Sequence, residues 1–439
     1  MSNIIQVLEY GTLRINEVYQ GVTFEKRHWK QLARYQGAQP KRRYLDVLHD
    51  GVRFRSYVGV IQSGNLTIEI LPKVDDVDDA SGADLRKWRN VLLHMLRESG
   101  MLRLDSLSNA LLREKENSLL DVYLDLFLTE VEALLHRGLV KRYRHTEGQQ
   151  MALRGAIQFG THLARNLVHQ ERFYTRHQTY DHQHLHNRLI RQALLLLPRL
   201  TNSPSLRGRT ARALLQWSES PPLKVTAATF AKLTFDRKTE AYRPAMVIAR
   251  LLLLNHRPDL RGGSNDLVAL VFNMNTLWEQ WVLKTLQRLY TPLGWTVIKP
   301  GYTTLWKADD DTVSEMQPDI LLTIPQVGNI VLDAKWKRPK GQPDGGDLRQ
   351  LFAYAHHYDA AHTMLLYPHT ATEYAVKGRF QLPAHLSSVD DNLLVTCGTI
   401  FIQVGAEQFD SSHVEVDDEG YLCNSLGTQF KQWLPQHAE

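Results

Sequence analysis

The sequence predicts an α/β protein: a C-terminal mixed sheet flanked by helices, preceded by a β-rich N-terminal region and a helical middle region. Three observations predict it. Short apolar, β-branched runs bounded by turn residues fill residues 1–80, and apolar residues at helical spacing dominate 81–260. Through 266–439 the pattern alternates helix, strands, helix and strands.

The elements follow in chain order. Tyr57 to Ile61 and Leu66 to Ile70 flank Gln62-Ser63-Gly64-Asn65, a hairpin whose turn contains Gly-Asn. Ahead of it lie Lys26, Arg27, Lys30, Arg34, Lys41, Arg42 and Arg43, which fit an arm for an acidic partner or an ordinary solvated surface. Leu85, Trp88, Val91, Leu92 and Met95 recur at helix spacing, and Leu120, Val122, Leu126, Val131 and Leu134 do so less regularly. Arg137, Lys141, Arg142, Arg144 and His145 form a basic cluster near Arg154-Gly155, open to the same two readings. His177, His182, His184 and His186 invite a metal, but they lack a zinc spacing and have only Asp181 nearby. A polar loop entering a helix from Asn187 to Leu197 is the simpler reading. Breakers from Asn255 to Ser264 place the main domain boundary there.

Composition bounds the class. At 439 residues the chain suggests two or three domains, each able to bury a core. Lys+Arg 52 against Asp+Glu 47 gives +5, compatible with nucleic acid without indicating it. Two cysteines, Cys397 and Cys423, support neither a disulfide framework nor a cysteine-rich zinc site. The first residues lack a signal-peptide pattern, and the apolar stretch from Ala245 to Leu254 is interrupted by Arg250 and too short to span a bilayer. The expectation is a cytoplasmic protein without a membrane partner. No Gly-x-x-x-x-Gly-Lys-Ser/Thr loop occurs, so the chain itself is not expected to bind a nucleotide.

The chemistry concentrates between Gln317 and Lys335. Ile320 to Ile324 and Asn329 to Leu332 are apolar and partly β-branched, with Pro325-Gln326-Val327-Gly328 between them, the pattern of an antiparallel hairpin. If the turn centres on Gln326, Asp319 stands opposite Asp333 on the same face. A one-residue slip would set Asp319 opposite Ala334, on the wrong face; the residue order leaves both registers open and the chemistry requires the first. Asp333 and Lys335 share a face, about 7 Å apart along the strand. Two carboxylates suit Mg²⁺, with Mn²⁺ as an alternative, and a phosphodiester would complete the shell. Lys335 would then orient the attacking water or stabilise transition-state charge. An Asp-x-Lys triplet on an ordinary surface hairpin is the bland alternative.

Two further segments fit the same site. Asp347 to His357 reads as a helix with Gly345-Gly346 as a break and Asp347 as N-cap, which places Gln350 and Tyr354 on one face. Tyr354 would equally serve as a core tyrosine. Asn275 to Val282 begins another helix, from which Glu279 offers a third carboxylate or a solvated side chain.

In order, Glu279, Pro318-Asp319, Asp333-Ala334-Lys335 and Gln350-x-x-x-Tyr354 resemble the PD-(D/E)xK nuclease superfamily. The chain as a whole resembles the McrC family, nuclease subunits of McrBC modification-dependent restriction systems. That resemblance also rests on Val7-Leu8-Glu9-Tyr10-Gly11, Tyr57 to Ile61, Leu66 to Lys73, Leu153 to Ile157 and Asn187 to Ile190. It implies an α/β endonuclease core at 266–439, a partner-binding region at 1–80 and a coupling region at 81–260. It implies Mg²⁺ held by Asp319 and Asp333 with Glu279, and Lys335, Gln350 and Tyr354 in support. It also implies a McrB-like AAA+ partner hydrolysing GTP, or ATP, that reads modified double-stranded DNA and whose hydrolysis this chain stimulates. A stand-alone repair or recombination nuclease and a non-cleaving NTPase-activating adaptor are the alternatives.

Overall fold

A computed structural model describes residues 3–38, 43–73, 82–101, 118–257, 267–325, 327–339, 342–368, 376–381 and 395–402. The chain forms two compact units that do not follow chain order. One comprises Asn3–Ile61, Ile68–Leu102 and Val271–Glu439; the other comprises Arg103–Leu270 with Gln62–Thr67 and Met1–Ser2. Residues 258–264 of the expected linker lie outside the described residues. Among the described residues no helix is long and apolar enough to cross a membrane.

The N-terminal region contributes β1 (Ile4–Leu8) and the expected hairpin, β2 (Tyr57–Ser63) with β3 (Leu66–Leu71). Strand β3 lies between β1 and β2. Gly64 turns the hairpin with φ +62°, a conformation that favours glycine. Helix α1 (Gly82–Glu98) buries Leu85, Val91, Leu92 and Met95 of the stripe read from the sequence and leaves its Trp88 half-buried.

In the other unit, α2 (Leu119–Arg137) opens on Ser118, whose side chain accepts from the Asp121 amide. The middle region is not wholly helical. β4 (Arg142–Gln150), β5 (Ala156–Ile157) and β6 (Phe173–Asp181) form an antiparallel sheet in the order β5-β6-β4. Most of β4 is exposed, so it lacks the apolar alternation that marks a half-buried strand. The basic residues Arg142, Arg144 and His145 lie on this strand. The histidine run is likewise not a single loop: His177 is on β6, while His184 caps and His186 lies within α3 (Leu185–Leu194). The helix expected from Asn187 to Leu197 therefore begins and ends earlier. His186 is buried among aromatic rings, and burial, helped by nearby His184, pushes its pKa down to about 4. Helix α4 (Pro204–Gln216) packs on α2, where Arg209 bridges Asp125 and Glu132.

From residue 274 onward the elements are α5 (Met274–Tyr290), β7 (Thr296–Ile298), β8 (Thr303–Lys307) and β9 (Val313–Met316). Next come β10 (Ile320–Ile324), β11 (Gly328–Ala334), α6 (Gly345–His357) and β12 (Ala360–Pro368). The last are β13 (Lys377–Arg379) and β14 (Thr396–Ile402). Six of these strands make one mixed sheet, β7-β10-β11-β12-β14-β13. Pairing is antiparallel from β7 to β11, parallel from β11 through β12 to β14, and antiparallel again at β13. Helix α5 packs against β7 and β11, and α6 against β11 and β12. Residues Ile330 to Ala334 are consequently all buried, as expected of a strand covered on both faces. Val331, Leu351, Tyr354, Leu365, Tyr367 and Phe401 join in one core cluster under α6.

Candidate active site

The hairpin takes the register that the chemistry requires. Ile320 pairs with Leu332, Leu322 with Ile330 and Ile324 with Gly328, so the ladder leads to Asp319 opposite Asp333. Strand alternation puts Val331, Asp333 and Lys335 on the face covered by α6. The Ala334 amide donates to Asp319 Oδ2 at 2.9 Å, and the Lys335 amide donates to Leu366 O at 2.9 Å, extending the sheet one residue past β11.

Helix α6 completes the cluster, with one correction to its start. Its N-cap is Asp344, whose Oδ1 accepts from the Gly346 amide at 2.7 Å, rather than Asp347. Gly345 and Gly346 belong to the first turn instead of breaking it. A Cβ at Gly346 would stand 2.8 Å from Asp344 Oδ1, so the glycine leaves room for the cap. Asp347 is thereby released to face inward. Its Oδ2 lies 2.6 Å from Lys337 Nζ and its Oδ1 lies 3.8 Å from Lys335 Nζ.

Lys335 is the hub. Its ammonium lies 2.7 Å from Asp333 Oδ2 and donates to Gln350 Oε1 at 3.1 Å. Gln350 Nε2 donates to the Tyr354 hydroxyl at 2.6 Å, and that hydroxyl donates to Gln317 O at 3.1 Å. Gln317 Nε2 in turn donates to Pro300 O at 2.6 Å. The i, i+4 spacing on α6 thus holds Lys335 through a relay. Burial alone would lower the Lys335 pKa, but the charges of Asp333, Asp347 and Asp319 and the Asp333 hydrogen bond outweigh it and raise it. The amine stays charged.

A cavity of about 340 Å³ is lined by Glu279, Gln317, Asp319, Asp333, Lys335, Gln350 and Tyr354, together with Asn275, Trp336 and Lys337. All six residues expected from the sequence therefore meet on one cavity. The sequence reasoning missed Trp336, Lys337 and the inward role of Asp347; the Lys-x-Lys spacing beyond the strand was the available signal. Glu279 lines the rim but is paired with Lys299 at 3.4 Å.

The donor set fits a divalent cation. Burial first, then the charges of Asp333 and Glu279, hold the Asp319 carboxyl well above the usual carboxylate range. A cation between these oxygens would relieve that repulsion. Asp333 Oδ2 is buried with no hydrogen bond beyond its ion pair to Lys335, which leaves it suited to a ligand role. Among the described residues no three histidine, cysteine, aspartate or glutamate side chains stand close enough together to hold a metal ion, so the structure pairs Asp319 with Asp333 but does not bring Glu279 into one ligand set with them.

These features define a mixed α/β chain with an acidic pocket that Lys335 and Lys337 also line. A family model described as McrBC 5-methylcytosine restriction system component matches residues 52–368. The chain belongs to that family. Among solved structures, it is similar to a chain of the refined half-complex from a tetradecameric assembly of Thermococcus gammatolerans McrB AAA+ hexamers with bound McrC. That match has 17% identity, covers 98% of this chain and 99% of that one, and has a TM-score of 0.65, which shows a shared fold. The cryo-EM structure of the Thermococcus gammatolerans McrBC complex matches at 19% identity over 65% of this chain and 87% of that chain, with a TM-score of 0.49. No curated protein matches the sequence.

Proposed function

We propose that this chain is the DNA-cleaving subunit of a McrBC-type modification-dependent restriction system. It hydrolyses phosphodiesters of double-stranded DNA with Mg²⁺, or Mn²⁺, under control of a McrB-like AAA+ GTPase or ATPase whose hydrolysis it stimulates. The observation that carries this reading is the convergence of Asp319, Asp333, Lys335, Gln350 and Tyr354 on one cavity in a chain of this family.

Asp319 and Asp333 would hold the ion, and Glu279 is the third carboxylate on the same cavity. The chemistry such an ion supplies when bound is activation of water and neutralisation of charge on the phosphate. The chain's own residues do the rest. The Lys335 ammonium sits beside Asp333, where it binds a phosphate oxygen and stabilises charge developing there. Gln350 and Tyr354 fix the direction of that ammonium, and Asp347 with Lys337 braces the turn beyond it. We assign 1–80 to partner binding, 81–260 to coupling and 266–439 to cutting. The modified base is read by the partner.

The test is Asp333→Ala in the complex with its AAA+ partner. Cleavage of 5-methylcytosine-containing DNA should vanish while stimulation of the partner's NTPase persists; undiminished cutting would overturn the assignment.

A further inference from the structure

Beside the turn that carries Lys335 lies a buried carboxylate that the scheme above does not use. Glu9 directly follows β1 and is 1% exposed. Its Oε1 accepts from the Trp336 indole Nε1 at 2.6 Å and from the Lys73 amide at 3.0 Å, while its buried Oε2 has no hydrogen-bond partner. Backbone geometry aims it inward. The Glu9 amide donates to Leu71 O at 2.8 Å, Tyr10 adopts φ +61°, and the Gly11 amide closes back on Leu8 O at 3.0 Å. A Cβ at Gly11 would stand 2.6 Å from Val7 Cγ2 and 2.7 Å from Leu8 O, so this turn requires glycine.

Trp336 is the residue after Lys335. Its ring lies 5.4 Å from that of Trp278, which stacks on Trp281 at 5.3 Å and donates through its indole to Leu366 O at 3.3 Å. The same Leu366 carbonyl accepts from the Lys335 amide. The lysine is thus held by the sheet through its own backbone and by Glu9 through its neighbour's side chain. A buried carboxylate is costly unless its hydrogen bonds are used, and an indole N–H aimed at it is such a use.

We propose that Glu9 is a positioning residue for the cutting reaction: its hydrogen bond to Trp336 sets the turn from Lys335 to Lys337 and so directs the Lys335 ammonium to Asp333. The N-terminal strand is then a structural part of the active site. This rests on the nuclease reading above.

The test compares Glu9→Leu, Glu9→Gln, Trp336→Phe and the Glu9→Leu/Trp336→Phe double variant in the full chain with its AAA+ partner, Mg²⁺ and 5-methylcytosine DNA. Glu9→Leu and Trp336→Phe should each slow cleavage roughly 10- to 100-fold. Glu9→Gln keeps the acceptor and should cut within a few-fold of the parent chain. The double variant should be no slower than the worse single one, because both remove the same bond. Trp336→Phe, which lies outside the region assigned to partner binding, should leave stimulation of the partner's NTPase unchanged, and the Mg²⁺ midpoint should not move in any variant. Wild-type cutting by Trp336→Phe, a double variant whose losses multiply, or Glu9→Gln as slow as Glu9→Leu would each overturn the proposal. Should Glu9→Leu fail to fold, Trp336→Phe, which keeps the ring and removes only the donor, decides alone. Asp333→Ala separates the two levels: if it still cuts, the nuclease reading falls; if it is dead while Trp336→Phe cuts normally, only the Glu9 proposal falls.

Discussion

The two strand pairs β10/β11 and β4/β6 are both antiparallel and opposite in construction. Every residue from Ile330 to Ala334 is buried, whereas β4 exposes Tyr143, Arg144 and His145. The first pair is held by core contacts, at about 1.5–3 kcal/mol for each fully buried large apolar side chain. The second is held by its own cross-strand partners. Tyr143 and Tyr180 rings lie 4.7 Å apart, Arg144 reaches Asp181 at 2.9 Å, and the hydroxyls of Thr146 and Thr179 lie 3.3 Å apart. Pairs of this kind contribute roughly 0.2–1 kcal/mol each. A carboxylate pair must keep its place to a fraction of an ångström, and it stands on the pair whose register a slip would ruin. On β4 and β6 only Thr175 and His177 are buried, so this ribbon is less constrained and presents polar and aromatic groups.

The largest contrast comes from Asp333→Ala, which should bring cleavage to background in an assay with the partner and Mg²⁺. Next in size, Leu332→Ala should cost about 2–5 kcal/mol in denaturant unfolding, since Leu332 is fully buried. Tyr143→Ala on the ribbon should cost no more than about 1 kcal/mol. Equal losses would erase the distinction between the pairs. The pH dependence of stability sharpens it further. Burial raises Glu9 to about 7 from 4.5, so its neutral form is favoured in the folded chain. Its contribution is fully present below pH 4.5 and is lost as pH rises to about 7. Glu9→Gln should therefore match the parent chain in unfolding free energy at pH 4 and exceed it above pH 7, by on the order of 3 kcal/mol, read by denaturant unfolding. Gln350→Ala, which strips Lys335 of an acceptor, should slow cleavage roughly 10- to 100-fold with little change in melting temperature. Smallest of all, Arg144→Ala should change stability by less than about 1 kcal/mol, and less still at high salt, because its pair with Asp181 is solvated.

What could be read from the sequence follows from the same contrast. The hairpin from Ile320 to Ala334 was legible because apolar runs of matched length flank a Pro-to-Gly turn, and its register then followed from the need to bring Asp319 to Asp333. Gln350 and Tyr354 followed from helical spacing. The Asp344 cap was not legible, since Gly345-Gly346 looks like a breaker until its fit against the cap oxygen is seen. β4 and β6 were hidden because they are built mostly from polar residues, Thr175 and His177 being the two that are buried, so no apolar alternation marks them. The bond from Trp336 to Glu9 joins residues 327 positions apart, and no local pattern announces it. Its one trace was a glutamate at the end of the apolar strand Ile4–Leu8.

That separation has a consequence for how the protein comes into being. A ribosome releases Glu9 long before it makes Asp333, Lys335 and the indole that Glu9 receives, and helix α6 arrives later still. Any chain that stops short of α6 lacks both Gln350 and Tyr354, and any fragment that starts after the first strand lacks the carboxylate beneath Trp336. A product that stops between Lys335 and α6 therefore carries the Asp319 and Asp333 carboxylates without a steadied lysine. If the chain cuts DNA as proposed, its host gains from a site that only the finished molecule can assemble.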